Sequence, residues 1–265
     1  MRPFPWLIAH RGARAKAPEN VEAAFDLAFS HCADGIELDV QMTADGVAVV
    51  FHDDTLRRIT GRRSAVADSK IAELLELDFG RWYSEDFCGQ KIMTLESVLK
   101  RYAGRGVLMI ELKSASGSRD PDKYKERLCT EVTRQIRLHA AGQMHDEIYV
   151  LGFDAKMIAE CRVLAPELNY ILNTKKPPSP RILKTAESKN LRGYCVPRRK
   201  LTGKFAGLCR RMGLFVAVYS CNTPGQVFSA LEKGADVIMT DDPGRVAKEF
   251  EQHVLSCQKQ RFTEK

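Results

Sequence analysis

The 265-residue chain predicts an α/β fold, a closed barrel of eight parallel strands with a helix after each. Three observations lead there. Apolar, β-branched runs recur eight times, they are near-continuous rather than alternating, and stretches of helical period lie between them. Near-continuous apolar strands belong to a sheet covered on both faces, which is what parallel strands joined by helices produce. An open doubly wound sheet is the alternative, but no G-x-G-x-x-G follows the first strand to mark a dinucleotide site.

The first strand is "WLIAH" (6–10), and the helix after it places Val21, Ala24, Phe25, Ala28 and Phe29 on one face. The second is "GIELDV" (35–40), which continues into a hairpin. Asp45-Gly46 is a favoured two-residue hairpin turn, so Ala44 is expected to face Val47 and Asp39 to lie across from His52. Residues 53–97 break the rhythm as an insertion after the second strand, carrying "DFGRWYSEDFCGQ" with Phe79, Trp82, Tyr83 and Phe87. Those aromatics form either a satellite core or one wall of a cleft. The remaining strands are "VLMIELK" (107–113), "IYVLGF" (148–153), "NYILN" (169–173), "RGYCV" (192–196), "LFVAVY" (214–219) and "DVIMTD" (236–241). Asp154, Thr223-Pro224 and Asp242-Pro243 supply helix starts, and "KKPPSP" (175–180) is a loop. One domain is expected to span residues 1–265.

Composition bounds the function. With 44% hydrophobic and 28% charged residues the chain is an ordinary soluble globular protein with a sizeable core. No run approaches the roughly 18 apolar residues of a membrane span, and "FPWLIA" is shorter than a secretory h-region. Neither an integral membrane segment nor a signal peptide is therefore expected. Eight cysteines without a C-x-x-C pair predict reduced, packed thiols and a cytoplasmic location. The net charge of +7 gathers at Arg57, Arg58, Arg62 and Arg63 and at Arg198, Arg199 and Lys200. These groups are either solvated faces or the source of a field that draws in anionic substrates. Nucleic acid is not an expected partner, because no recognition motif accompanies the charge. Oligomeric state is not readable from the sequence.

The chemistry lies at strand ends. Glu37 and Asp39 sit two apart and share a face, as do Glu111 and Lys113. The first strand ends in His10-Arg11-Gly12, and His52 follows the hairpin. A parallel barrel brings all these ends to one rim. Crowded carboxylates raise one another's pKa unless a cation intervenes, and an all-oxygen set suits Mg²⁺ or Ca²⁺. Glu37, Asp39 and Glu111 with a divalent ion carry a local charge of −1, which Arg11 and Lys113 turn to +1, fit for an anionic phosphodiester. Two histidines supply a base and an acid near neutral pH. Together these parts describe metal-assisted phosphodiester cleavage.

The residues also carry a family resemblance. "AHRG" followed by "PEN", then "IELDVQMTADGVAVVFHDDTLRRIT", "TLESVL", "IELK" and a late "VYSCNTPGQVFSALEKGADVIMTDDP" resemble the glycerophosphodiester phosphodiesterase family. The likeness runs from about residue 6 to 245, with its specific motifs in the first half. It implies a TIM-type (β/α)8 barrel with a small insertion after the second strand. By position, it implies His10 and His52 as catalytic residues. Glu37, Asp39 and Glu111 are implied as metal ligands, with Arg11 and Lys113 near the phosphate. The implied reaction converts a glycerophosphodiester, a small-molecule substrate, to glycerol 3-phosphate and an alcohol. The sequence departs from the family pattern at Val21, Met93 and Tyr219-Ser220-Cys221-Asn222, where threonine, proline and a Trp-Thr-Val-Asn run are usual. Rival readings are a lysophospholipase D and a catalytically silent phosphate-binding barrel.

Overall fold

Eight parallel strands close on themselves in a computed structural model that describes residues 5–114, 120–140, 142–179 and 191–252. They are β1 Trp6–His10, β2 Gly35–Met42, β4 Val107–Leu112, β5 Ile148–Gly152, β6 Asn169–Asn173, β7 Gly193–Pro197, β8 Phe215–Tyr219 and β9 Val237–Thr240. Their order is β1-β9-β8-β7-β6-β5-β4-β2, and pairing of β1 with β2 closes the ring. This is the TIM-type barrel the sequence predicts. The short strand β3, Ala48–Val50, lies outside the ring, antiparallel to β2.

The strands alternate between two destinations. Leu7, Leu38, Ile110, Val150, Tyr170, Val196, Val218 and Ile238 face outward into two apolar layers shared with the helices. Trp6, Ile8, Met109, Tyr149, Leu151, Ile171, Cys195, Ala217 and Met239 face inward. At the floor, Trp6, Tyr149 and Phe215 meet edge to face with centroids 5.6–6.2 Å apart, plugging the barrel with rigid aromatic volume. The inward positions nearest the C-terminal ends hold His10, Glu37, Asp39, Glu111, Asn173 and Tyr219 instead. One face of each strand thus serves as core below and site above.

Helices α1 Glu22–Ser30, α4 Leu95–Tyr102, α5 Pro121–His139, α6 Ala155–Leu164, α7 Gly203–Arg211 and α8 Pro224–Glu232 surround the barrel, with residues 243–252 also helical. The expected caps are in place. Asp154 accepts from the Lys156 N–H, Thr223 from Gln226 and Asp242 from Arg245, each satisfying an otherwise orphaned first-turn donor. Of the helix face predicted after the first strand, Val21, Ala24, Phe25 and Ala28 are buried and Phe29 packs partly buried against them. Seven cysteines are free, five of them buried; Cys257 and Pro180 of the predicted loop lie outside the described residues.

The hairpin differs from expectation. The pairs are Val40–Val50, Gln41–Val49 and Met42–Ala48, so Asp39 lies opposite Phe51, not His52. Gly46 at φ +87° adds a left-handed residue to the turn, and its N–H bonds the Thr43 carbonyl at 3.0 Å. The loop therefore holds three residues rather than two, a type I turn followed by a glycine bulge, which shifts the register by one. His52 is instead delivered by the chain leaving the strand, where the Gln41 amide holds the carbonyls of Phe51 and Asp53 at 3.1 and 2.8 Å.

The insertion contains α2 Arg57–Thr60 and α3 Ile71–Leu75 and builds a satellite core. Phe79 is buried there with Val49, Phe51, Leu56, Ile59, Val66, Leu74 and Ile92. Trp82, Tyr83 and Phe87 form an edge-to-face ladder outside it, with centroids 5.6–5.8 Å apart. None of these four aromatics lines the cavity at the barrel mouth.

The β2–β4 contact, which carries all three candidate metal ligands, tolerates no side chain at Gly35. A Cβ there would fall 2.0 Å from the Val107 carbonyl oxygen. Gly35→Ala is expected to destabilise the protein by at least about 2 kcal/mol in chemical denaturation, since backbone must move to admit the methyl group. A loss below half of that would mean the two strands are not so tightly apposed.

Candidate active site

A cavity of about 200 Å³ opens at the C-terminal mouth, lined by His10, Arg11, Glu37, Asp39, His52, Glu111, Lys113, Leu151, Phe153, Asn173, Cys195, Tyr219 and Met239. All seven residues singled out from the sequence line it. Register explains the convergence: His10 pairs with Glu37 across β1–β2, and Asp39 pairs with Glu111 across β2–β4.

Carboxylate oxygens of Glu37, Asp39 and Glu111 come within 4.8 Å of one another, and all three residues are buried. Such a group is costly without cations. Burial, then the charges of Asp39 and Glu111, push the Glu37 carboxyl well above its ordinary range. Burial and Asp39 raise Glu111 as well. Burial pushes Asp39 the same way, but Arg11 and Lys113, joined by His52, hold it down to about 2. Arg11 Nε lies 3.2 Å from Asp39, and Lys113 Nζ lies 3.3 Å from Asp39 and 2.8 Å from Glu111. Three mutually repelling oxygen donors with only two monovalent counter-ions fit a divalent hard cation, and the set lacks the nitrogen and sulfur donors that zinc sites favour.

Two amides orient these carboxylates. Asn20 Nδ2 donates to Asp39 at 2.9 Å, and Asn173 Nδ2 donates to Glu111 at 2.9 Å. A carboxylate accepts only from the nitrogen, so both amide orientations are fixed by their partners. The turn after β1 does similar work. Arg11 and Gly12 both have positive φ, 60° and 79°, and the Arg11 N–H bonds the Glu37 side chain at 3.1 Å. A Cβ at Gly12 would lie 2.7 Å from Ala24 backbone, so the bend that folds Arg11 over the rim requires glycine.

Each histidine is held by a carboxylate that the sequence reading did not single out. His10 Nδ1 lies 2.8 Å from Asp241, and His52 Nδ1 lies 2.7 Å from Asp53. Burial pushes the Asp241 carboxyl up, but the hydrogen bond and charge of His10, with Arg14 and Asn222, bring it below its ordinary value. A charged acceptor at Nδ1 makes that nitrogen the N–H donor and leaves Nε2 free for proton transfer. Asp241 follows the last strand at the same rim, so the strand-end rule that found His10 could have found it. Asp53 directly follows His52. Asn20 and Asn173 left no such signal, because an amide has no charge to seem misplaced. Glu19, His52 and Asp53 also offer ligand atoms within 4.8 Å of one another. That space is taken by the Arg58 guanidinium, bonded to Glu19 and to Asp53, each at 2.6 Å.

Fold and site together define a TIM barrel with a buried cluster of three carboxylates at its mouth, the frame of a barrel enzyme. Residues 10–245 match the Glycerophosphoryl diester phosphodiesterase family, and the chain belongs to it. YhdW of Bacillus subtilis is 33% identical over 248 residues, covering 92% of this chain and 97% of that one. A glycerophosphodiester phosphodiesterase of Caldanaerobacter subterraneus is 29% identical, covering 89% of this chain and 94% of its own. Among solved structures, a glycerophosphodiester phosphodiesterase from Agrobacterium tumefaciens superposes with a TM-score of 0.77 at 27% identity, over 92% of this chain and 100% of that one. An Oleispira antarctica phosphodiesterase, solved with sn-glycerol-3-phosphate, shares the fold with a TM-score of 0.84 at 24% identity, over 94% of this chain and 97% of its own. No helix among the described residues is long and apolar enough to cross a membrane.

Divalent-ion binding is expected to stabilise the native chain, by about 2.7 kcal/mol at a hundred times Kd. Glu111→Gln should weaken that binding at least about tenfold in calorimetric titration, because the ion loses a charged donor. Unchanged affinity in this variant would place the ion elsewhere.

Proposed function

We propose that the protein hydrolyses glycerophosphodiesters to glycerol 3-phosphate and an alcohol, with a divalent cation, Mg²⁺ or Ca²⁺, held by Glu37, Asp39 and Glu111. One observation carries this reading. Two carboxylate-bound imidazoles and three buried carboxylates surround one cavity that also holds a guanidinium and an ammonium group. Family membership supports it further.

The bound cation would neutralise the carboxylates and withdraw charge from a phosphate oxygen. Arg11 and Lys113 add fixed positive charge beside it, favouring an anionic diester over a neutral ester. His10 and His52 share the proton work through their free Nε2 atoms. One takes the proton of the attacking hydroxyl, either water or the substrate's own 2-hydroxyl, as the new P–O bond forms. The other gives a proton to the departing alkoxide as the old P–O bond breaks. Either nucleophile balances to the same products, the cyclic phosphate route needing one water to open the ring. Leu151, Phe153, Tyr219 and Met239 supply an apolar wall for the organic part of the substrate. A reducing, cytoplasmic setting is part of the proposal, supported by the free thiols.

His10→Ala and His52→Ala are each expected to lower kcat by roughly 10²–10⁴-fold while the thermal transition stays in place. A variant retaining a tenth of the rate would remove that histidine from proton transfer. EDTA should abolish activity and added Mg²⁺ or Ca²⁺ restore it. The substrate is resolved by assaying glycerophosphocholine, glycerophosphoethanolamine, glycerophosphoglycerol and lysophosphatidylcholine side by side. Preference for the deacylated diesters supports the proposal, preference for the acylated one indicates a lysophospholipase D, and glycerol 3-phosphate binding without turnover indicates a silent barrel.

A further inference from the structure

The insertion after β3 touches the site through a side chain that never enters the cavity. Arg58, in α2, is 42% exposed and sits behind His52. We propose that Arg58 is a positioning residue that fixes Asp53, and through it the ring of His52, in the orientation proton transfer requires. The inference rests on the proposed role of His52.

Arg58 Nε and Nη2 fork onto the two oxygens of Asp53 at 2.6 and 3.0 Å. That fork sets the plane of the carboxylate whose Oδ1 lies 2.7 Å from His52 Nδ1. The guanidinium's outer nitrogens also bond Glu19, at 2.6 and 3.3 Å. Glu19 is itself anchored to the barrel mouth, since Arg11 Nη1 lies 3.0 Å and Arg14 Nη1 3.7 Å from it. Arg58 therefore spans a fixed post and the carboxylate that steers the histidine. Its cation lies 5.2 Å from the centroid of the Trp82 ring, and Trp82 is held in turn by its indole N–H to the Phe79 carbonyl at 2.9 Å. Trp82 thus has a task, covering one face of the guanidinium and adding a cation–π contact to its ion pairs. Burial pushes the Asp53 carboxyl up, yet the Arg58 hydrogen bond and His52 keep it below its ordinary value, so it stays a charged acceptor. A lysine could not replace this arrangement, because one ammonium cannot span two carboxylates with parallel hydrogen bonds.

The test is a double-mutant cycle on the metal-loaded full chain, read by steady-state hydrolysis of the diester the unsubstituted chain turns over best. Arg58→Ala should lower kcat roughly 10–100-fold, the usual size of a supporting contact. Millimolar guanidinium should recover part of the loss, and ammonium should not. In an Asp53→Asn background the same substitution should cost less than about twofold, because its route to His52 is already broken. Arg58→Lys keeps the charge and the aliphatic stem, so it tests the idea even if the alanine variant folds poorly; its rate should stay well below that of the unsubstituted chain. Near-normal kcat in Arg58→Lys, or a full multiplicative loss in the Asp53→Asn background, would overturn the proposal. Failure of the unsubstituted chain to hydrolyse any diester would instead strike the functional reading and is seen before any variant is made.

Discussion

Mutual repulsion among Glu37, Asp39 and Glu111 is the constraint on which the mouth of this barrel depends. Three buried carboxylates within 4.8 Å of one another are tolerable only if positive charge surrounds them. The chain supplies Arg11 from the turn after β1 and Lys113 from the end of β4, and each contacts Asp39. That is one cation too few: burial, then the charge of Asp39, pushes Glu37 and Glu111 toward the neutral form, while Arg11 and Lys113 keep Asp39 charged. The deficit is the physical basis for the proposed divalent ion. It also separates this centre from the Glu19–Asp53 group, where Arg58 already fills the space between the carboxylates.

The barrel can bear this strain because its inward positions are divided by height. The floor is closed by Trp6, Tyr149 and Phe215, and the outward face of every strand packs against helices. Stability therefore resides below and outside, leaving the upper inward layer free for polar groups that no ordinary core would accept. The positive φ of Arg11 and the close approach at Gly12 are local costs of the same division, borne where the chain bends over the rim.

The barrel was legible because its strands are long apolar runs with period-2 placement of ionisable residues at their ends. Glu37, Asp39 and Glu111 stood out because charge in a buried strand needs a reason. The hairpin register was not legible, since Asp45-Gly46 serves a two-residue turn and a three-residue bulged turn equally well; only the left-handed conformation of Gly46 decides. His52 reached the cavity nonetheless, through a different route from the one its sequence position suggested. The supporting groups were the least visible. Asn20 and Asn173 are neutral, and Arg58 belongs to a basic stretch that reads as solvated surface. Their importance comes from the partner, and partners are set by tertiary contact.

Those supporting groups follow one rule. Four ionisable residues in the cavity, His10, His52, Asp39 and Glu111, are each met by a partner that fixes one of their polar atoms. Asp241 and Asp53 occupy the Nδ1 side of the two histidines, and Asn20 and Asn173 occupy one oxygen each of Asp39 and Glu111. A histidine free to rotate would divide its time between tautomers, and a free carboxylate between metal and solvent. Fixing the rear atom removes that choice before substrate arrives, which is where preorganised sites gain most of their advantage. The loops and the insertion then have a shared purpose, because Asn20, Glu19, Asp53 and Arg58 all come from segments outside the barrel strands. Strands deliver most of the ionisable groups to one rim, and the connections determine which way those groups point.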